Sequence, residues 1–523
     1  MAVGTELSGA RRIERQDVGS NFALFGWILF LASFALYFAS FAVRDDGQLL
    51  GNDAMPYAHQ LVSGQASGLF NAHHLLFHPL ALGIAKLLAL LPGYEFNELS
   101  ILAAQQLLSA LGGALAVLMV FRLAARCSGL VTGGWIAAIF ACSYGNWLYS
   151  AVGETYSPAT GLIAVLLVQA VEVRLGWRKL NLPVLALWLL LAVSFRQDSV
   201  LVVVALPFLL SALPALFVMG AAGLLSLLLY IATWALADLD VSFMEWLRGL
   251  ADKGIWGQSP TFESFTFSAG MTLMSIHCGA VHIRRIVAGN FDLLLTPLVL
   301  SAIGSATLIL ASLFRPRALV GEARAIAIGL VIFCLTRFIF FAWWQPTNIE
   351  YHTGTLLPLA LLFALIISPK SRLARQLYLP LAFVLIASSN LLTAFLPNRI
   401  QTVAEHSAIA VEEAGVGGLL IALNANQYHA FLREPPPDAE LVDAVDIFVR
   451  QNLAELPALM EKIDAKILSG QRVVLVCERD IWKRMGFPER RINIDVIGEL
   501  SELYTTRELL DEDGKLWALI LEP

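Results

Sequence analysis

The chain has 523 residues, 58% of them hydrophobic and 15% charged, with a formal net charge of −6 and a mean hydropathy of +0.70. A soluble domain carries about a quarter of its residues as charges, so this chain lacks the polar surface to coat itself in water; the slightly acidic balance argues against a nucleic-acid partner, which calls for a basic face. The five cysteines are scattered, with neither CxxC spacing nor a disulfide framework.

The first apolar run, 22–43, follows Arg11, Arg12 and Arg15. It is too long for a signal-peptide core and lacks a small-residue cleavage site, so it reads as a retained first span. Further runs of spanning length lie near 99–121, 129–147, 158–173, 181–195, 199–213, 215–237, 292–314, 324–344, 351–369 and 377–396. Since a helix needs about 20 apolar residues to cross the hydrocarbon core, this makes about eleven spans. The run 74–92, HLLFHPLALGIAKLLALLP, carries His74, His78, Pro79 and Lys86 and could span or lie flat at the interface.

The positive-inside rule favours the flat reading. Arg122/Arg126, Arg174/Arg178/Lys179, Arg315/Arg317/Arg324 and Lys370/Arg372/Arg375 then share the cytoplasmic side with the N-terminal arginines. The loops 44–98, 148–157, 238–291 and 345–350 and the region 397–523 fall outside. So does Arg196-Gln197-Asp198-Ser199, at the tip of a hairpin between 181–195 and 199–213.

Beyond about 400 the composition turns soluble. A strand at 416–423, amphipathic helices near 438–450 and 453–468, and strands at 472–477, 492–497 and 516–521 predict a small α/β domain. The expected fold class is mainly α: a polytopic transmembrane helical bundle with a small C-terminal α/β domain. Its expected organisation is a cytoplasmic tail (1–21), a membrane domain (22–396) and an extracytoplasmic domain (397–523). Localisation to a plasma (inner) membrane follows, with the chemistry on the outer side.

Candidate chemistry gathers in the outer loops. The first, RDDGQLLGNDAMPYAHQLVSG, places Asp45, Asp46 and Asp53 beyond the first span. A carboxylate at the membrane surface can act as general base on an acceptor hydroxyl, or simply mark a solvated helix end. Asp53, four residues before Tyr57 in a helix-like stretch, is the favoured base, with Asp45 and Asp46 as alternatives. His73, His74 and His78 follow; positions 74 and 78 share a helix face and could ligate a divalent metal ion, or else hydrogen-bond lipid phosphates or loop carboxylates. Glu154 sits between two spans, framed by Tyr149 and Tyr156. Arg196 offers a bidentate match to phosphate, or snorkels to the interface. Arg337 lies inside the 324–344 run, where a lone charge is costly and an acid or phosphate partner is expected. Trp343 and Trp344 suit an aromatic belt, and Glu350, Tyr351 and His352 form a second polar cluster able to hold a pyrophosphate or a sugar.

Three stretches together resemble the GT-C superfamily of integral membrane glycosyltransferases, which includes protein O-mannosyltransferases and the aminoarabinose transferase of lipid A. They are GNDAMPYAHQLVSG leading to HHLLFHPLALGIAKLLALLP, then AVGETYSPATGLIAVLLV, then WWQPTNIEYHTGTLLPLALL. The interfacial helix departs from the His-Pro-Pro-Gly type of opening usual in the nearest branch. The resemblance implies transfer of a sugar from a polyprenyl phosphate to a lipid, glycan or protein acceptor on the outer face. It also implies Asp53 as base, Glu154 as second acidic residue, and Arg196 and Arg337 on the donor phosphate. Tyr57, the three histidines and the Glu350–His352 cluster would then contact substrate. A transporter or flippase of lipid-linked sugars, and a non-catalytic scaffold subunit, are the rival readings; the absence of an internal repeat and the polar outer loops favour an enzyme.

Overall fold

The computed structural model describes residues 21–42, 54–62, 64, 69–237, 242–248, 261–277, 295–313, 319–346, 348–367, 371–394, 401–422, 439–444, 456–476, 503–510 and 516–523. The chain forms two compact units, one holding the described residues up to 394 and the other those from 401 onward.

The first unit is helical: α1 (Phe22–Ala42), α2 (Ala54–Val62), α3 (Phe77–Leu88), α4 (Glu98–Ser128), α5 (Leu130–Cys142), α6 (Tyr144–Ala151), α7 (Tyr156–Arg174) and α8 (Leu182–Phe195). A 3-10 stretch, Gln197–Val204, leads to α9 (Leu206–Leu210) and α10 (Ala212–Leu236). Then come α11 (Phe243–Arg248), α12 (Phe262–Ile276), α13 (Leu295–Leu313), α14 (Glu322–Trp344), α15 (Ile349–Thr353), α16 (Leu356–Ile366) and α17 (Leu379–Ala394). Among the described residues, six helical stretches are long and apolar enough to cross a membrane: 22–40, 98–128, 156–174, 212–236, 322–344 and 349–366. The outward faces of α1 and α10 are apolar, with Leu24, Trp27, Leu213 and Leu224 all more than half exposed. Such surfaces are stable against lipid and not against water, so this is a multi-pass membrane protein.

Two expected spans take a different form. The run 199–213 is not one helix but the 3-10 stretch followed by five-residue α9, because Pro207 has no amide hydrogen to continue the ladder. The run 129–147 breaks at Ser143, whose extended backbone separates α5 from α6.

Helices α4 and α7 form the centre of this unit. A capping box in which Asn97 accepts from the Ser100 amide, and Ser100 Oγ accepts from the Asn97 amide, starts α4 at a fixed residue. Halfway along, Gly112 backs directly onto Ser157 and Pro158, and Gly161 onto the Gly112 carbonyl. No side chain fits there, so the two backbones touch, as small residues allow between membrane helices. That contact pins the 152–156 turn against α4. At the other end of the pair, Arg122 grips the fully buried Glu172 through two hydrogen bonds of 2.7 and 2.8 Å, and Arg126 joins it. Arg174 pairs with Glu322 at the start of α14.

The second unit has a five-stranded sheet ordered β2-β1-β3-β5-β4: β1 (Leu419–Ala422), β2 (Glu440–Asp443), β3 (Val473–Val476), β4 (Thr505–Leu510) and β5 (Leu516–Glu522). β2, β1 and β3 run parallel, while β5 is antiparallel to β3 and to β4. Alternate strand residues feed two cores. Leu419, Ile421, Val473 and Leu475 meet Leu459 and Ile463 of α19 (Leu456–Leu468), and Leu420, Ala422, Val474 and Val476 meet Ala410 and Ala414 of α18 (Gln401–Ala414). The sequence predicted a helix near 438–450; the structure has strand β2 at 440–443, because Leu441 and Val442 complete the parallel edge beside β1. The strand expected at 492–497 lies outside the described residues.

Glu413 at the end of α18 accepts from both terminal nitrogens of Arg507 on β4, at 3.2 and 2.5 Å, and contacts Arg472. The Arg507 hydrogen bonds hold its carboxyl below the ordinary value of 4.5. A depressed carboxylate stabilises the fold above its unfolded pKa, and that contribution is lost as pH falls through the folded value. Glu413→Gln should therefore lower the thermal midpoint of this unit at pH 7, by no more than about 1 kcal/mol for a largely exposed pair. The difference from wild type should vanish in the acid range below 4.5 and in high salt. A difference that persists in acid would contradict this account.

Candidate functional site

The helical unit has two distinguishable ends, fixed by side-chain contacts. At one end Phe22, the first residue of α1, lies under Arg126 and stacks on Phe121. At the other, Ser40 accepts a 2.8 Å hydrogen bond from Trp147 of α6. The first loop therefore leaves α1 at the end where Glu154 lies. Ala54, which opens α2, packs beside Gly153: a Cβ on that glycine would stand 3.4 Å from Ala54 Cβ. Asp53, the expected base, and Asp45 and Asp46 lie outside the described residues.

The same end holds both arginines singled out from the sequence, joined by an acid that was not. Arg196 follows α8 in an extended conformation, and its Nε lies 2.7 Å from Asp198 Oδ1. Arg337, within α14, reaches Asp198 Oδ2 at 3.4 Å and the Tyr351 carbonyl at 3.1 Å. Arg196 also donates to Thr155 Oγ1 at 3.2 Å, and its guanidinium lies flat over Tyr156, 3.5 Å from the ring centre, with Tyr351 at 5.1 Å. All three charged side chains are at most 10% exposed. Burial works against the Arg196 cation, but Asp198, Tyr156, Tyr351 and Glu350 outweigh it and its pKa rises. Two cations thus share one anion, Asp198, and the Glu350 carboxylate also acts on Arg196 in this region of low dielectric.

Gly354 makes that packing possible. A Cβ there would lie 2.6 Å from Cζ of Arg337, so only glycine leaves the guanidinium its place. A small cavity lined by Tyr156, Thr160, Arg196, Asp198, Arg337 and Leu357 opens beside the pair. The next residue back, Leu356, lines a separate apolar groove of about 310 Å³ between α5, α12, α13 and α16, walled by Ile136, Phe140, Ile276, Leu308 and Phe363.

Glu154 is buried, and its backbone is tied to Ser109 of α4 in both directions, at 2.7 and 3.1 Å. Tyr149 packs 5.3 Å from Tyr156, which meets Tyr351 at 5.9 Å. Burial first, then Glu350, Tyr144 and Glu154, push the Tyr149 phenol up, so both carboxylates act on this aromatic frame. Glu350 accepts from Asn348 Nδ2 at 2.6 Å. His352 meets Ser268 and Thr272 of α12 at 3.4 and 3.3 Å.

The histidines form a separate group. Gln197 Nε2 lies 2.6 Å from His73 Nδ1, which ties the loop before α3 to the arginine turn. The His74 and His78 rings are 5.9 Å apart, and Tyr57 of α2 packs on His78 at 4.3 Å. Burial lowers the His78 pKa to about 3, so the ring is neutral. Among the described residues no three His, Cys, Asp or Glu side chains are arranged to hold a metal ion.

No protein-family model and no curated protein matches the chain. Among solved structures it is similar to the crystal structures of ArnT from Cupriavidus metallidurans, one bound to undecaprenyl phosphate and one in the apo state. The TM-score is 0.54 in both cases, over 95% of this chain and 98% of that one, at 13% and 14% sequence identity. The chain therefore shares the fold of these ArnT structures. The resemblance read from the sequence thus holds at the level of the fold. Within this framework Asp198, Thr155 and Gly354 are the neighbours that sequence reasoning missed. One signal for Asp198 was present: an acid two residues from Arg196 in a tight turn, while Arg337 lacked a counter-ion.

Removing Asp198 strands two buried cations, whereas removing either arginine leaves one neutral pair. Asp198→Asn should therefore destabilise the protein by about 3–5 kcal/mol. It should also cost more than Arg196→Gln, as read from thermal unfolding in detergent. Equal midpoints for Asp198→Asn and wild type would contradict the shared-anion reading.

Proposed function

We propose that this protein is a glycosyltransferase that moves a sugar from a polyprenyl-phosphate donor to an acceptor hydroxyl at the extracytoplasmic face, with inversion. The observation that carries the reading is the pair of buried arginines sharing Asp198, beside a small cavity of about 10 Å³ and floored by Tyr156 and Tyr351. Planar guanidinium groups suit the oxygens of a phosphate, which could take over from Asp198 as their shared anion. The ArnT structure with undecaprenyl phosphate supports a lipid-phosphate ligand for this fold. The apolar groove that begins at Leu356 would receive the prenyl chain, whose recognition needs only apolar walls.

In the reaction, a carboxylate removes the acceptor proton as the acceptor oxygen bonds to the anomeric carbon. The bond from that carbon to the phosphate oxygen breaks, and the charge arriving on the leaving phosphate is met by Arg196 and Arg337. Asp53 is our base, one residue before α2. Glu154 would position the acceptor, and Tyr57, the histidines, Glu350, Tyr351 and His352 would line the substrate route. The placement of the region 397–523 outside belongs to the same proposal, and a cysteine introduced in that region should react with an impermeant reagent from outside only.

Purified protein incubated with polyprenyl-phosphate sugars and candidate acceptors should release lipid phosphate. Asp53→Asn should cut the rate by about 10²-fold or more, the size of a lost general base, while folding survives. A transporter or scaffold would show no transfer and no such loss.

A further inference from the structure

Among the described residues, two buried polar side chains with no hydrogen-bond partner lie near the same short helix. Gln105 on α4 is fully buried, with neither Oε1 nor Nε2 bonded. His78 on α3 is fully buried, with neither ring nitrogen bonded. A Cβ on Gly153 would stand 3.0 Å from Gln105 Cβ and 3.4 Å from Ala54 Cβ, so Gln105 and Ala54 flank the same glycine. Tyr57 packs on His78. Ala54 and Tyr57 are three residues apart on α2 and share a face, so both polar groups lie toward that face of α2.

Buried polar groups are nearly always paired, and leaving them unpaired costs stability. Four such atoms toward one short helix point to a ligand. Their chemistry is mixed: the carboxamide gives one donor and one acceptor, and a neutral imidazole gives one of each. Phosphate accepts only; hydroxyls both donate and accept. We propose that Gln105 and His78 form a subsite beneath α2 that reads hydroxyl groups of a neutral glycosyl unit on the lipid-linked donor. This rests on the function proposed above.

The position agrees with that assignment. Gly153 lies on Gln105, and Thr155, two residues on, accepts from Arg196. Two residues of extended chain span at most roughly 7 Å, so one short turn joins the neighbour of Gln105 to the partner of Arg196. The cover is light. α2 has nine residues and buries mainly Ala54, Ala58 and Leu61 against the bundle, and a helix this short is marginal without packing. Lifting α2 admits the sugar, and reclosure returns the residue next to Asp53 over it.

The test compares binding of undecaprenyl phosphate with that of the same lipid carrying glucose or mannose, to full-length protein in nanodiscs. Wild type should bind at least one hexosyl lipid more tightly than the bare lipid. Gln105→Leu and His78→Phe should each lose about tenfold of that preference, and Gln105→Leu should leave bare-lipid affinity unchanged. Their ligand-free thermal midpoints should equal or exceed wild type, since an unpaired group has been replaced by an apolar one; Gln105→Met serves if the leucine variant fails to fold. A wild-type protein with no hexosyl preference, or a preference that survives in both variants, overturns the subsite and leaves the phosphate site standing. Failure to bind either lipid overturns the phosphate site, and the subsite with it.

Discussion

A carboxylate shared by two buried guanidiniums is the constraint around which the helical unit is arranged. Asp198 sits just past α8, Arg196 two residues before it, and Arg337 comes from α14. Charges at such depth persist only if every partner is held in place. The surroundings do that: Thr155 and Tyr156 from the head of α7, the Tyr351 carbonyl from α15, and the bare face of Gly354. The Gly112–Gly161 contact in turn fixes the head of α7 against α4. Removing any of these would let the arginines find a different balance.

The opposite end of the bundle offers an instructive contrast. There too, two arginines, Arg122 and Arg126, share one acid, Glu172. The Arg122 side chain is 30% exposed, against 4% for Arg337. Arg122 is screened by solvent and counterions, whereas Arg337 is not. Equal stoichiometry therefore comes with different access to water at the two ends.

Much of this could be read from the sequence because lipid imposes a simple rule on apolar length. The long helices fell where unbroken apolar runs do, and the parallel strands β1 and β3 fell where LLIA and VVLV stand between soluble helices. Pro207 and Ser143 interrupt runs whose hydropathy alone looks continuous, so local backbone chemistry, not composition, set those breaks. β2 was misread because ELVD also fits an amphipathic turn, and only its neighbour β1 selects the strand. Within the site, Arg337 advertised a missing partner, but nothing short of tertiary structure pairs it with Asp198, 139 residues away. Gln105 left no signal, since a glutamine in an apolar helix takes its meaning from what faces it.

The fold narrows the chemistry without naming the reaction; the charge pattern does the rest of the narrowing. Polar groups converge at one end of the bundle, next to an apolar groove, and this suits a substrate with a charged head and a long hydrocarbon tail. The most direct test is a structure of the full chain in lipid nanodiscs with polyprenyl phosphate bound. The expected result is a phosphorus between the guanidiniums of Arg196 and Arg337, with the chain entering the groove at Leu356. A phosphate seated elsewhere, with both arginines unchanged on Asp198, would contradict the account.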